Sequence, residues 1–203
     1  WKNGELTEML NSHATIYGQK QEWGPGAITE TVRELVPRDT IITMDSGAHR
    51  ILISQAWPTY VPRSALQSSA FCTMGCALPL ATGAKLADPS RVVVAFMGDG
   101  GLEMVLGELI TLRDLALPVI VIVFVDASLA LIEKKQREMQ YKNAGVDMNE
   151  TDFKSIALAA GGNGFFVQTR AQLTDALNIA LNTSEKFTLI SCKIPRGSYD
   201  EII

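Results

Sequence analysis

From Pro25 onward the chain alternates short apolar runs with stretches of helical periodicity. Thr40–Met44 (TIITM), Arg91–Met97 (RVVVAFM), Val119–Val125 (VIVIVFV), Gly164–Gln168 and Phe187–Lys193 (FTLISCK) have strand length and are mostly β-branched or apolar, and Ala65–Ser69 is a short sixth candidate. Between them lie predicted helices. The first opens at Pro25, repeats Ile28, Val32, Leu35 and Val36 at helical spacing, and stops at Pro37. Others are expected over His49–Trp57, Ala77–Ala87, Leu102–Leu115, Leu129–Gln140, Asp152–Ala160 and Arg170–Leu181. Asp152 and Thr169 stand where N-caps belong. Leu102, Val105, Leu106, Leu109 and Leu112 share one face of the fourth predicted helix.

Strands that alternate with helices imply an α/β fold: three layers, a mostly parallel central sheet of about six strands, and helices on both faces. The runs at 91–97 and 119–125 are apolar on both faces, as strands in the centre of such a sheet are. Trp1–Gly24 differs in character. It is polar and irregular, with Asn3, Asn11, Ser12, Gln19 and Gln21, and reads as a tail or linker, leaving 25–203 as the domain.

Composition narrows the function. The chain has 203 residues, 47% hydrophobic and 20% charged, enough for one domain with a full core. Its net charge is −4 and its Lys and Arg form no stripe, which argues against a nucleic-acid partner. The longest apolar run, Ala116–Val125, is short for a membrane span and contains Pro118. The first residues have no apolar secretory core. Three cysteines, Cys72, Cys76 and Cys192, form no disulfide framework. No second Cys or His pair follows Cys72 and Cys76, so they read as small core residues. The expected compartment is a reducing cytoplasm.

In open parallel sheets ligands bind beyond the carboxyl ends of the strands. Three ends carry chemistry: Asp45-Ser46-Gly47-Ala48-His49, Gly98-Asp99-Gly100-Gly101 and Asp126-Ala127-Ser128. Glycines before a helix let a phosphate approach the backbone and the helix N-terminus. Asp99 would repel that phosphate unless a hard cation such as Mg²⁺ lay between them. Alone, this turn reads equally well as a tight strand-to-helix connection with Asp99 as N-cap. Asp126 shifts the balance, because it follows the next strand and can reach the same ion.

At this point the chain resembles the thiamine diphosphate (ThDP) enzymes, in the acetolactate synthase-like, 2-oxo-acid decarboxylase and carboligase group. The stretches that carry the resemblance are DSGAHR (45–50), CTMGCALPLATGAKLA (72–87), VVAFMGDGGLEMVLGELITLRDLALPVIVIVFVDAS (93–128) and VDMNETDFKSIALAAGGNG (146–164). Together they span roughly Pro25 to the C-terminus. The resemblance implies the ThDP-binding fold and a ThDP–Mg²⁺ site. Asp99 and Asp126 match the side-chain metal ligands, and Ser128 matches a residue that gives its backbone carbonyl. Gly98, Gly100 and Gly101 match the diphosphate turn, with the last two as backbone donors. Ala48 and His49 match a pair that touches the diphosphate. Met74 resembles the apolar wedge beneath the bent cofactor, Cys72 would accept from the cofactor's amino group through its carbonyl, and Leu129 belongs to the same contact set. Leu131 and Ile132 match a substrate-pocket face and, taken alone, are an apolar helix face. Met74 and His49 likewise have plain readings as a core filler and a surface helix residue.

Two departures matter. The family places a neutral Asn where this chain has Asp126. Two carboxylates beside a diphosphate leave excess negative charge, so weaker ThDP–Mg²⁺ binding is expected unless His49 is protonated or a helix N-terminus compensates. The family's activating glutamate comes from a pyrimidine-binding domain, and none of the glutamates here lies in such a context. The expected catalytic set within this chain is therefore empty. The chain is expected to be a fragment of a longer enzyme, favoured by the linker-like start, or one subunit of a split one. It would work as a dimer or larger assembly, with a small 2-oxo acid as substrate. An apolar patch around Leu102, Met104 and Leu106 would suit the contact. The alternatives are a non-catalytic regulatory or assembly module of the same fold, and a nicotinamide-dependent oxidoreductase. The latter needs a G-x-G-x-x-G turn with an acid about 20 residues on, and neither Met44 nor Met97 is followed by one.

Overall fold

A computed structural model describes residues 2–17 and 22–203. Fifteen elements follow in order: α1 (Glu5–Tyr17), α2 (Pro25–Leu35), β1 (Ile41–Met44), α3 (Ala48–Ala56), β2 (Ala65–Gln67), α4 (Ala77–Ala87), β3 (Val93–Gly98), α5 (Asp99–Glu103), α6 (Glu108–Asp114), β4 (Val119–Val125), α7 (Ala130–Glu138), α8 (Phe153–Ala159), β5 (Asn163–Val167), α9 (Arg170–Leu181) and β6 (Thr188–Lys193). The six strands form one sheet in the order β2-β1-β3-β4-β6-β5, and every pairing is parallel.

The central strands are apolar throughout because each buries both faces. On one face Val94, Phe96, Ile120 and Ile122 pack under α2, α3 and α9 through Ile28, Val32, Ile53, Leu173 and Leu177. On the other, Val93, Ala95, Val119 and Val121 pack under α4, α6 and α8 through Leu78, Ala81, Leu109, Leu112 and Phe153. A polar residue at any of these strand positions would lie buried without a hydrogen-bond partner. The predicted N-caps are present: Asp152 Oδ1 accepts from Ser155 N at 3.0 Å and the Thr169 hydroxyl from Gln172 N at 3.3 Å.

Three expectations need correction. The segment before Pro25 is not irregular, since α1 takes up 5–17, with Leu6, Met9 and Leu10 exposed; Trp1, Gln19 and Gln21 lie outside the described residues. The single helix expected over Leu102–Leu115 is two, α5 starting already at Asp99 and α6 following an N-cap at Gly107. The apolar periodicity runs through the break because both pieces lie on one core. For the same reason Leu102 is fully buried and cannot serve a surface patch, while Met104 is 64% exposed.

The order of the strands locates the site. From β1 the chain moves outward to β2, then returns past β1 to β3. Successive connections thus diverge between β1 and β3 and open a crevice at their carboxyl ends.

Candidate active site

Around that crevice stand the turns after β1, β3 and β4. They enclose a cleft of about 150 Å³ lined by Ala48, His49, Met74, Gly98, Asp99, Gly100, Gly101, Asp126, Ser128 and Leu129. Ten of the eleven cofactor and metal candidates drawn from the sequence thus line one space. Cys72 is the exception. It stands two residues before Met74 in a left-handed conformation (φ 49°), its thiol donating to Ser68 O at 3.3 Å and accepting from Arg50 Nη1 at 3.3 Å.

The two metal-ligand candidates are held by backbone N–H groups. Asp99 Oδ1 accepts from Gly100 N and Oδ2 from Ala127 N, both at 2.8 Å. The second bond crosses from β3 to β4 and is possible because Ala127 turns through φ 54°. A left-handed alanine is a strained conformation that surrounding structure must hold in place. Asp126 Oδ1 accepts from Ser128 N at 3.2 Å, while Asp126 Oδ2 is buried with no partner. Gly100 therefore spends its N–H on Asp99.

Burial pushes the carboxyls of Asp99 and Asp126 upward. Asp126 rises to about 7, its burial reinforced by the negative charge of Asp99 and of Glu133. The two buried carboxyls disfavour each other's charge, a repulsion that a divalent cation between them would relieve. The bare Oδ2 of Asp126 fits such a cation. Among the described residues no group of three or more His, Cys, Asp or Glu side chains is arranged to hold a metal ion by itself. A cation here must complete its shell from backbone carbonyls, water and ligand oxygens, which suits Mg²⁺ better than zinc.

The remaining walls suit an anion. Helices α3 and α7 start at the cleft, so their free N–H groups and positive dipole ends face it. The glycines are a matter of space: a Cβ on Gly100 would stand 3.3 Å from Met74 Cε and 3.1 Å from Leu129 Cδ2. Gly47 adopts φ 148°, and a Cβ there would meet the His49 ring at 2.8 Å.

His49 is not a surface residue. It is 4% exposed, its ring stacks on Phe124 at 5.6 Å, and its Nε2 has no partner. Burial, helped by the charge of Arg50, holds its pKa down to about 3. The imidazole is therefore neutral near pH 7 and offers no positive charge to offset Asp126. Compensation would have to come from the helix ends and from any cation held between the two carboxylates.

The structure adds residues that the sequence patterns did not single out. Tyr199 lines the cleft from the segment after β6. Glu133, 7% exposed, accepts from Ser128 Oγ at 2.5 Å and from Arg196 Nε at 2.9 Å. Asp45, which the sequence already placed at the end of β1, is fully buried and accepts from Gly75 N at 3.0 Å, next to Met74. The available signal was positional: β6 neighbours β4, so its carboxyl end reaches the same sheet edge.

Residues 45–192 match the family described as thiamine pyrophosphate enzyme, C-terminal TPP binding domain, thiamine pyrophosphate being another name for ThDP. The chain is 30% identical over 184 residues to an acetolactate synthase of Bacillus subtilis (85% of this chain, 32% of that protein). It is 32% identical over 158 residues to a catabolic acetolactate synthase of Raoultella terrigena (78% and 28%). It thus spans about a third of the length of these relatives. Its fold matches that of benzoylformate decarboxylase from Polynucleobacter necessarius with a TM-score of 0.75, at 21% identity, over 83% of this chain and 32% of that one. No helix among the described residues is long and apolar enough to cross a membrane. With the match beginning at Asp45 and taking in all three turns of the cleft, the chain belongs to the ThDP enzymes, as their C-terminal cofactor-binding domain.

Proposed function

We propose that this chain holds the diphosphate end of ThDP through Mg²⁺ and forms half of the active site of an acetolactate synthase-like lyase or carboligase acting on 2-oxo acids. The observation that carries this reading is the pairing of Asp99 and Asp126 at the ends of adjacent strands, with Asp126 Oδ2 buried and bare. Asp99, Asp126 and the carbonyl of Ser128 would hold the ion. The N-termini of α3 and α7 and the His49 imidazole would face the phosphates, and Met74 would pack beneath the bent cofactor. When bound, ThDP supplies the carbanion chemistry that breaks or makes the bond beside a 2-oxo acid's carbonyl.

The protein's own contribution is binding, orientation and exclusion of water. Burial of both carboxylates strengthens their hold on a cation. Leu131 and Ile132, which line the cleft from α7, would shape the substrate side. An activating glutamate must come from a pyrimidine-binding domain, in this chain's longer form or in a partner. Phe71, 96% exposed on the loop that carries Met74, supports a second domain or subunit covering this edge.

Calorimetric titration of Mg²⁺–ThDP into the chain tests the reading. Saturable binding that is lost in Asp99→Ala is expected; no binding, or binding indifferent to Asp99→Ala, overturns it. CO₂ release from a 2-oxo acid, assayed with the pyrimidine-binding domain supplied, separates an enzyme from a non-catalytic module.

A further inference from the structure

Beyond β6 the chain turns back across the carboxyl edge of the sheet, and ion pairs pin it on both sides of Tyr199. Arg196 reaches Glu133 at 2.9 Å and Asp147 at 2.6 Å, and Asp200 accepts from Arg137 at 2.5 Å. Between them Tyr199 is 4% exposed, packs its ring into the apolar core and lines the cleft. Its hydroxyl is buried and has no hydrogen-bond partner.

Packing alone does not call for that hydroxyl, because a phenylalanine ring would fill the same apolar space. A buried hydroxyl without a partner is unfavourable and uncommon. Two other lining residues share the condition: Asp126 Oδ2 and His49 Nε2 are also buried and unpaired. The residues that carry these three bare atoms, brought by the β4 turn, α3 and the C-terminal segment, line one cleft. A carboxylate oxygen can only accept, whereas phenol and imidazole can donate. That combination complements a ligand carrying both a cation and anionic oxygens. A phenol is protonated at neutral pH and is therefore a donor.

We propose that Tyr199 is a binding residue of this site, its O–H donating to a phosphate oxygen of the Mg²⁺-bound diphosphate from a C-terminal strap held by Arg196 and Asp200. The proposal rests on the diphosphate reading above and adds a contact from outside the three strand-end turns. It also gives the ion pairs a role: they set the position of the donor.

The test is calorimetry of wild type, Tyr199→Phe and Asp99→Ala with three probes: Mg²⁺ alone, Mg²⁺ with inorganic diphosphate, and Mg²⁺–ThDP. Tyr199→Phe is expected to weaken both phosphate-containing probes about tenfold, equivalent to about 1.4 kcal/mol, with unchanged Mg²⁺ affinity and a melting temperature of the unliganded chain no lower than wild type. If wild type binds and Asp99→Ala does not, yet Tyr199→Phe matches wild type, the role of Tyr199 falls while the site stands. If Tyr199→Phe weakens Mg²⁺ alone to the same degree, the phenol serves the carboxylates and the proposal is wrong. If wild type binds neither phosphate probe, the diphosphate reading fails and the proposal with it.

Discussion

A Cβ on Gly101 would stand 1.9 Å from Oδ2 of Asp45, the same oxygen that accepts the Gly75 N–H at 3.0 Å. This one buried carboxylate therefore joins three pieces of the cleft: the end of β1, the α5 turn, and the loop bearing Met74. Gly101 is required because the carboxylate occupies the place of its side chain.

Replacing Gly101 with Ala must push Asp45 off Gly75 or lift α5 away from β1. Overpacking of this kind costs about 1–3 kcal/mol. The expected result is a lower melting temperature together with at least a tenfold loss of Mg²⁺–diphosphate affinity. Thermal unfolding and calorimetry read the two effects. A Gly101→Ala variant that matches wild type in both would show that Asp45 has room to move and does not hold the cleft together.

Asp126→Asn separates metal binding from anion binding. The amide keeps an acceptor for Ser128 N, yet removes a negative charge beside the phosphates. A neutral oxygen is a weaker Mg²⁺ ligand than a carboxylate, so affinity for Mg²⁺ alone should fall. At saturating Mg²⁺ the affinity for ThDP should rise, because less negative charge faces the diphosphate. A change of severalfold in each direction is expected. Equal ThDP affinities for the two proteins would remove the argument that Asp126 weakens the site.

Much of this site was legible because it lies at the ends of strands whose apolar character is unmistakable. Val119–Val125 is buried at every position, so Asp126 had to stand at the sheet edge, and the same reasoning placed Asp99 and Asp45. What stayed hidden depends on tertiary packing. The break between α5 and α6 leaves no mark on a periodicity that serves one core. The burial of His49 comes from Phe124 in another strand. Tyr199 follows the last strand within a segment of no regular pattern, and only the return of that segment over β4 and α7 brings it to the cleft. The N-terminal helix was missed because polar residues surround Leu6, Met9 and Leu10, which stand at helical spacing yet remain exposed.

The neutrality of His49 has a pH consequence of definite sign. Its folded pKa is held at about 3 by burial and by Arg50, against about 6.5 for an unperturbed histidine. Between those values the unfolded chain takes up a proton that the folded chain refuses. The stabilising contribution is thus present above about pH 6.5 and is lost as pH falls toward about 3. Its full size is on the order of 3–5 kcal/mol. NMR of the unliganded chain should show the His49 ring resonances unchanged from pH 8 to pH 5. His49→Gln should lose less stability than wild type over the acid limb. A His49 resonance that titrates near pH 6.5 would contradict the buried, neutral ring.

Glu133 is the point where the site and the C-terminal strap are joined. Its Oε1 accepts from Arg137 Nη1 at 2.7 Å and Asn143 Nδ2 at 3.1 Å, and its Oε2 from Ser128 Oγ at 2.5 Å and Arg196 Nε at 2.9 Å. Both oxygens face donors, so only an acceptor-only group fits. Glutamine would turn its NH₂ toward one pair or the other and set donor against donor. Because both arginines are partly exposed, the cost is expected at about 2–3 kcal/mol, short of a deeply buried ion pair. Glu133→Gln should therefore lower the melting temperature and loosen the segment from Pro195 onward. Limited trypsinolysis after Arg196, followed by mass spectrometry, detects that loosening directly. Addition of Mg²⁺–diphosphate should slow the cleavage if the strap closes on the ligand through Tyr199. Equal resistance of wild type and Glu133→Gln would mean that the segment is held by its apolar contacts, Tyr199 and Ile202, and not by this carboxylate.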